Sequence, residues 1–179
     1  MSKKVLILSG SPRRGGNSDL LCDQFLKGAA EAGHTVEKIF LGAKRISPCK
    51  ACYYCKKSGG VCAIHDDMEE ILNQMQAADV IVMASPVYFY SIDAQMKALI
   101  DRCVARWTEM PGKEFYYIMT AAEDSATVMD CTLACFRGFA SCLEGAKERG
   151  VIEGKGVYEA KEIQGHPAMS KAYEMGRQV

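Results

Sequence analysis

The chain has 179 residues, nine of them cysteine, and its formal net charge is zero because 22 basic residues balance 22 acidic ones. This length predicts one domain with a sizeable core, extending over residues 1–179. The balanced charge argues against nucleic acid or a membrane surface as a partner held through bulk charge. No apolar run approaches the about 20 residues of a membrane-spanning helix, and no signal-peptide pattern opens the chain, so we expect a cytoplasmic protein.

The first predicted elements are a buried strand over residues 3–9, a polar loop over 9–18 and a helix over 18–32. A helix that begins directly after such a loop forms an anion site, because its free N–H groups and its dipole favour negative charge. The alternative is an ordinary turn capped by Asn17 or Ser18. The loop side chains able to bind phosphate are Ser9, Ser11, Asn17 and Ser18, with Arg13 or Arg14 to neutralise its charge.

The sequence of this loop narrows the choice of phosphate ligand. It matches neither G-x-x-x-x-G-K-[ST] nor G-x-G-x-x-G, so it indicates neither a nucleoside triphosphate nor a dinucleotide. A short cup rich in hydroxyl groups suits a terminal phosphate monoester. We therefore expect a mononucleotide such as FMN, bound at the switch point of an open parallel sheet.

The remaining pattern alternates strands with helices and predicts an α/β fold. Asp66 and Asp67 open one helix with a capping box, and a strand over 79–84 has the continuous apolar character of a central strand. Alternation of this kind implies right-handed crossovers. We predict a flavodoxin-like three-layer sandwich around a five-stranded parallel sheet in the order 2-1-3-4-5. The later strands are predicted at 35–41 (near an edge), 79–84, 114–121 and 150–158, and the later helices at 66–78, 93–107, 126–149 and 167–176.

The loops after the first, third and fourth strands converge on one crevice in this topology. The loop over 85–91 carries Tyr88, Phe89 and Tyr90, which could contact the flat ring of a flavin. The alternative for these aromatic residues is core or interface packing. On the helix that follows, Arg102, Arg106 and Trp107 are candidates for contact with a partner subunit.

Four of the nine cysteines cluster in a long loop over 46–63, with the spacing C-x2-C-x2-C-x6-C. Four thiolates on one loop can hold a tetrahedral metal ion or a [4Fe–4S] cluster, and the compact spacing favours iron–sulfur over zinc. Free or structural thiols, a zinc site and a redox pair remain alternatives. The helical spacing of Cys131, Cys135 and Cys142 predicts a buried helix face. The four clustered residues are Cys49, Cys52, Cys55 and Cys62.

Several of these motifs together resemble the NADPH-dependent FMN reductase superfamily, and within it the iron–sulfur flavoproteins. The resemblance rests on Gly10-Ser11-Pro12-Arg13, Gly16-Asn17-Ser18, the cysteine run, Ser85-Pro86-Val87-Tyr88 and Asp101-Arg102. It implies a flavodoxin-like fold, one FMN per subunit, a homodimer or homotetramer, and a [4Fe–4S] cluster on the four clustered cysteines. It implies that the FMN phosphate binds Ser9, Ser11, Arg13, Asn17 and Ser18. It also implies that the flavin ring is lined by Pro86, Val87, Tyr88, Phe89 and Ser91 and bordered by Thr120 and Ala121.

The function expected from these features is an FMN-dependent oxidoreductase. Its flavin would take a hydride from NAD(P)H, or electrons from a ferredoxin-like donor, and pass them to a small acceptor, through the cluster where one is bound. No side chain is expected to act as an acid or base. The alternatives are a cluster-free NAD(P)H-dependent quinone, azo or nitro reductase, a flavodoxin-type electron carrier and a zinc-stabilised binding module.

Overall fold

A computed structural model describes all 179 residues and contains one five-stranded sheet whose strand order is β2-β1-β3-β4-β5. Every pair of neighbouring strands is parallel. The predicted α/β class and the predicted order 2-1-3-4-5 are therefore confirmed. The strands are β1 (Lys4–Ser9), β2 (Thr35–Phe40), β3 (Val80–Pro86), β4 (Glu114–Thr120) and β5 (Lys147–Gly154).

Helices cover both faces of this sheet, and the sheet separates the apolar core into two clusters. Side chains of β1 alternate between them: Leu6 and Leu8 belong to one cluster, and Val5 and Ile7 belong to the other. A strand that is buried on both faces has a continuously apolar sequence, which is the feature that predicted a central position for β3. The helices are α1 (Asn17–Glu31), α2 (Tyr54–Lys57), α3 (Met68–Ala77), α4 (Ala94–Arg102), α5 (Asp130–Ser141) and α6 (Pro167–Arg177). None of them combines the length and apolarity needed to cross a bilayer.

Three predicted boundaries are wrong. The helix expected over 126–149 is represented only by α5, and β5 begins at Lys147 instead of residue 150. The first three residues of β5 are exposed and charged, as befits an edge strand, so they carry no apolar alternation to reveal it. The helix expected over 93–107 ends at Arg102, and two short 3₁₀ turns follow it. Helix α2, inside the cysteine-rich loop, was not anticipated.

Two further predictions about side chains are contradicted. Asp67 does not cap α3 through its carboxylate, which instead accepts a hydrogen bond of 2.6 Å from the Arg45 amide. The predicted buried face of cysteines on the fifth helix is also wrong. Cys131 and Cys142 are exposed and Cys135 is half-buried, because the inward face of α5 is formed by larger apolar side chains.

Helices α1 and α6 pack against each other at the distance of backbone contact. A Cβ atom on Gly28 of α1 would lie 2.1 Å from the carbonyl oxygen of Tyr173. A Cβ atom on Gly176 of α6 would lie 2.2 Å from the carbonyl oxygen of Phe25. Since both obstacles are backbone atoms, only glycine fits at these two positions without a displacement of one helix.

We expect Gly28→Ala to lower the free energy of unfolding by roughly 1–3 kcal/mol, because the added methyl group would push α1 and α6 apart. Gly138→Ala is the matched control. Gly138 also lies within a helix, but a Cβ atom there would meet no other atom within 4 Å. That control should gain up to about 1 kcal/mol from helix propensity alone. Urea denaturation curves measure both changes, and a gain of stability in Gly28→Ala would contradict the close packing.

Candidate functional site

A cavity of about 140 Å³ lies where the loops after β1, β3 and β4 meet at the carboxyl ends of the strands. A fourth segment, which follows β5, also contributes to its wall. The crevice therefore forms where the strand order reverses, beside β1. The lining residues are Ser11, Arg13, Gly16, Asn17, Ser18, Pro86, Val87, Tyr88, Thr120, Ala122, Val157 and Tyr158.

The loop between β1 and α1, here called the first loop, presents unused hydrogen-bonding groups to this cavity. The Ser18 hydroxyl is buried and has no hydrogen-bond partner, and no side chain caps the N-terminus of α1. Gly16 keeps the loop tight, because a Cβ atom there would lie 2.9 Å from the Arg13 carbonyl oxygen. A buried hydroxyl beside free helix N–H groups is the donor set that a phosphate requires.

Other polar side chains of this loop already have partners within the protein. The Ser11 hydroxyl oxygen lies 3.1 Å from the Arg13 amide nitrogen, which donates to it. Arg13 donates from Nη1 to the Tyr158 carbonyl oxygen at 3.2 Å. Asn17 donates from Nδ2 to the Glu159 carbonyl oxygen at 2.9 Å and accepts from the Ile163 amide at 3.2 Å. The segment after β5 is thus fastened across the first loop.

No sequence pattern indicated that this last segment would line the cavity. It contains no recognisable motif, and its exact position depends on the end of β5, which was placed wrongly. Val157 is buried beside the cavity, whereas Tyr158 is largely exposed and lies at its rim.

Ser9 lies below the loop and not in the cavity. It is fully buried, and its hydroxyl donates to Asp19 Oδ1 at 2.8 Å. The same carboxylate accepts from the Gly15 amide at 2.9 Å and from Lys38 Nζ at 3.0 Å. Burial by itself raises the pKa of Asp19, but these hydrogen bonds hold the pKa below its usual range. Asp19 is therefore ionised, and its carboxylate holds the first loop in place. Sequence patterns did not suggest this role.

The loop after β3, here called the second loop, contains a tight turn. In this turn the Tyr88 and Ser91 backbones exchange hydrogen bonds of 2.9 and 3.0 Å. Its two central residues, Phe89 and Tyr90, have φ angles of 49° and 60°. Left-handed backbone in residues other than glycine carries strain and is concentrated at functional sites. The Phe89 side chain is wholly exposed and does not line the cavity. Ser91 lies outside it too, with its hydroxyl oxygen 3.7 Å from the Cys135 sulfur.

Thr120 is the last residue of β4, and Ala121 follows it. Thr120 lines the cavity wall, and its carbonyl oxygen accepts a hydrogen bond of 2.7 Å from the Val87 amide. Ala121 is buried and does not reach the cavity. Thr120 therefore joins the second loop to the sheet.

Asp93 is a buried carboxyl group that lies against Gly10 of the first loop and binds Ser85 at the end of β3. Its Oδ2 lies 2.8 Å from the Ser85 hydroxyl oxygen, which is also 2.7 Å from the Pro86 carbonyl oxygen. Its Oδ1 accepts from the Met96 amide and caps α4. A Cβ atom on Gly10 would lie 2.4 Å from Oδ2, so glycine is required there.

Burial raises the pKa of Asp93 to about 6, although hydrogen bonds from the Met96 amide and Ser85 oppose the rise. The hydrogen-bond chain gives a structural reason for protonation. Ser85 has one hydroxyl proton for two acceptors, the Pro86 carbonyl and the Asp93 carboxylate. When Asp93 is protonated it can donate to Ser85, and Ser85 can then donate to Pro86.

A second cavity, of about 320 Å³, lies under the cysteine-rich loop, and all four clustered cysteines line it. Most of its other lining residues are apolar. No three potential ligands approach one another closely enough to hold a single metal ion. The Ala51 and Ile64 amides each donate to a thiol, to Cys49 and Cys62 respectively, at 3.4 Å. The four thiols thus line one cavity but do not converge on a single-ion site.

Arg102 forms part of the wall of this cavity. The expectation that it faces a partner subunit is wrong, because only 2% of its surface is exposed. It binds both oxygens of Asp66, at 2.7 and 3.0 Å. It also donates to the carbonyl oxygens of Ser47, at 2.9 Å, and Ile64, at 3.3 Å. The ion pair thereby ties together the two ends of the cysteine-rich loop.

Comparison with protein families and curated sequences gives consistent matches. Residues 3–133 match the family model described as NADPH-dependent FMN reductase. An iron-sulfur flavoprotein from Methanocaldococcus jannaschii is 48% identical over 99 residues, which are 55% of this chain and 51% of that protein. Another, from Methanosarcina thermophila, is 43% identical over 101 residues, 56% of this chain and 52% of that protein. The chain spans about half the length of the curated relatives it matches.

Solved structures share the whole fold at much lower identity. An NAD(P)H:quinone oxidoreductase from Methanothermobacter marburgensis superposes with a TM-score of 0.75 at 18% identity, covering 99% of this chain and 96% of that one. An azoreductase from Bacillus anthracis superposes with a TM-score of 0.76 at 19% identity and covers both chains completely. At these identities the likeness establishes the fold.

We expect the raised pKa of Asp93 to make the stability of the protein depend on pH. The folded state binds this proton more tightly than the unfolded state does. The contribution is therefore fully present below about pH 4 and is lost as the pH rises through about 6.

Asp93→Asn removes this titration and keeps the cap on α4. The free energy of unfolding of the variant should exceed that of the natural protein by an amount that grows between pH 4 and pH 7. The growth should reach up to about 3 kcal/mol, because each pKa unit corresponds to about 1.36 kcal/mol. Urea denaturation at several pH values gives the difference. An offset between the two proteins that does not change with pH would contradict the raised pKa.

Proposed function

Because the chain belongs to the NADPH-dependent FMN reductase family, we propose that it is an FMN-dependent oxidoreductase that uses NAD(P)H or a protein electron donor. We base this proposal on the cavity beside the first loop. There a buried Ser18 hydroxyl without a partner and an uncapped helix N-terminus meet the aromatic second loop. The first loop and the N-terminus of α1 (the phosphate cup) can thus bind a phosphate group, and the second loop can contact a flavin ring in the same crevice.

The phosphate group is assigned to the cup at the start of α1. Ser18 and the first N–H groups of α1 are unused donors, and Ser11, Arg13 and Asn17 line the same cavity. Arg13 and Asn17 can turn from the backbone carbonyls that they now bind toward the phosphate. Ser9 supports the cup from below, through Asp19. The chain thus binds the phosphate by backbone dipoles, hydroxyl groups and one guanidinium.

The flavin ring is assigned to the wall formed by Pro86, Val87, Tyr88 and Thr120. Bound FMN supplies hydride and single-electron chemistry, and the residues around it bind it, orient it and exclude water. No side chain of the cavity is assigned the transfer of a proton. Ser91 and Ala121 shape the wall from behind, and the exposed Phe89 is assigned to a contact with the ring edge or with a second subunit of a homodimer or homotetramer.

The cysteine-rich loop is assigned a [4Fe–4S] cluster held by Cys49, Cys52, Cys55 and Cys62. One observation supports this ligand set: the four thiols line one cavity of about 320 Å³. A bound cluster would supply single-electron transfer between the flavin and an external donor or acceptor.

The surface around this loop suits an acidic donor protein such as a ferredoxin. Residues 44–57 contain five basic residues and no acidic residue, although the whole chain is neutral. Four of the five basic side chains are exposed and form no ion pair. Opposite charges on two proteins steer their association. The four are Arg45, Lys50, Lys56 and Lys57.

We expect Arg13→Ala to weaken the binding of FMN by about 10-fold or more, because a charge-assisted hydrogen bond to the phosphate is lost. Its affinity for riboflavin, which has no phosphate, should change little. Arg14→Ala is the control variant, since Arg14 lies over the Phe40 ring and outside the cavity. Fluorescence titration of the flavin-free protein measures both affinities. An equal loss for riboflavin and FMN would remove the phosphate from the first loop.

We expect Cys52→Ser to lose iron and to retain FMN, because one of four ligands is replaced while the flavin cavity is untouched. Cys131→Ser, which alters an exposed thiol outside the loop, should keep both. Iron and FMN are assayed in protein purified without oxygen. Iron at the parental level in Cys52→Ser would contradict the ligand set. A parental protein that holds FMN without iron would favour a cluster-free quinone, azo or nitro reductase.

A further inference from the structure

The guanidinium group of Arg102 has one hydrogen-bond donor that the protein leaves unused. Its two terminal nitrogens bind Asp66 and the carbonyl oxygens of Ser47 and Ile64. Its Nε is buried and has no partner. A buried donor without an acceptor costs about 1–3 kcal/mol, so its presence in an otherwise satisfied network requires an explanation.

The position of Arg102 limits what the missing acceptor can be. The side chain lies in the wall of the cavity that all four clustered cysteines line. A guanidinium only donates, so its partner must be an acceptor in this cavity or in a smaller one that Arg102 also lines. Asp101 in the first cavity and Glu109 in the second are already ion-paired, and Glu69 in the second is exposed. The Cys62 sulfur lines both cavities. Although burial lowers the pKa of Arg102, Asp66 and then Cys62 raise it.

This inference deepens the proposed function and rests on its iron–sulfur cluster. We propose that Arg102 contacts the cluster directly, with Nε–H donating to the Cys62 sulfur or to an adjacent sulfide, and that this contact raises the reduction potential. Hydrogen bonds to cluster sulfurs and nearby charges are established means by which proteins set such potentials.

The sign of the effect follows from charge. A cluster with four thiolate ligands is an anion, and reduction by one electron makes it more negative. A hydrogen-bond donor or a cation beside it therefore stabilises the reduced form more than the oxidised form. Loss of Arg102 would also leave the Asp66 carboxylate without its partner, so the potential should fall. Loss of the Asp66 charge should leave the potential unchanged or raise it.

This difference between loss of Arg102 and loss of Asp66 separates the proposed contact from a purely structural role. Asp66 and Arg102 both close the cysteine-rich loop, since Asp66 also accepts from the Ser47 amide at 2.9 Å. If the pair only held the loop in place, Arg102→Gln and Asp66→Asn would disturb the cluster in the same way. Arg106→Gln is the control for a change of charge, because Arg106 pairs with Glu109 and does not line the cavity.

The first experiment needs no variant. Holoprotein labelled with ¹⁵N-arginine is purified without oxygen, its cluster is reduced, and the ¹⁵N couplings to the cluster are measured by pulsed electron–nuclear double resonance. We expect a coupling from one arginine nitrogen, because Arg102 is the only arginine among the lining residues of the cavity. A reduced cluster without any ¹⁵N coupling would overturn the proposal.

Potentiometric titration of the variants then tests the sign. Arg102→Gln should shift the midpoint potential of the cluster to more negative values, Asp66→Asn should not, and Arg106→Gln should leave it nearly unchanged. Equal downward shifts in Arg102→Gln and Asp66→Asn would overturn the proposed contact and leave only the structural role. Protein that contains FMN but never binds iron would remove the cluster from the proposed function, which is a different outcome from a cluster that Arg102 does not affect.

Discussion

The reversal of strand order at β1 is the constraint on which the site depends. Strand β1 pairs with β2 on one side and β3 on the other, and all three run in the same direction. The chain therefore leaves β1 and β3 toward opposite faces of the sheet, and a crevice opens between the two departing segments. The cavity beside the first loop lies in this crevice, and the cysteine-rich loop follows β2 at the same edge of the sheet. Both candidate cofactor sites thus follow from one feature of the topology.

Three buried carboxyl groups convert this crevice into defined sites. Asp19 holds the first loop, Asp93 binds Ser85 at the end of β3 and caps α4, and Asp66 closes the cysteine-rich loop through Arg102. A charge buried without a partner would cost several kcal/mol, so each of the three is ion-paired or hydrogen-bonded, and the pKa of Asp93 is also raised. Polar groups arranged in this way hold loop backbones in positions that apolar packing alone would leave undetermined.

Sequence patterns predicted those parts of the molecule whose signal is local. The apolar run of β3 and the loop between β1 and α1 carry their own signature, so the strand order and the first loop were predicted correctly. The exposed edge strand β5 has no such signature, and its displacement hid the contribution of Val157 and Tyr158 to the cavity. The partners of the buried carboxyl groups lie up to several tens of residues away in the chain, as Asp66 and Arg102 do. Such pairs depend on the tertiary structure, which periodicity and spacing do not contain.

The contact between α1 and α6 has a consequence for the order in which the protein can fold during synthesis. The inward face of α1 belongs to a core cluster that includes Ala168 and Ala172 of α6. Until the ribosome has released residues 167–177, α6 does not cover that face, and the first half of the chain exposes apolar surface to solvent and to chaperones. Long-range contacts of this kind slow folding, because a large loop must close before they form. One face of the sheet can therefore be covered earlier than the other, which must wait for α6.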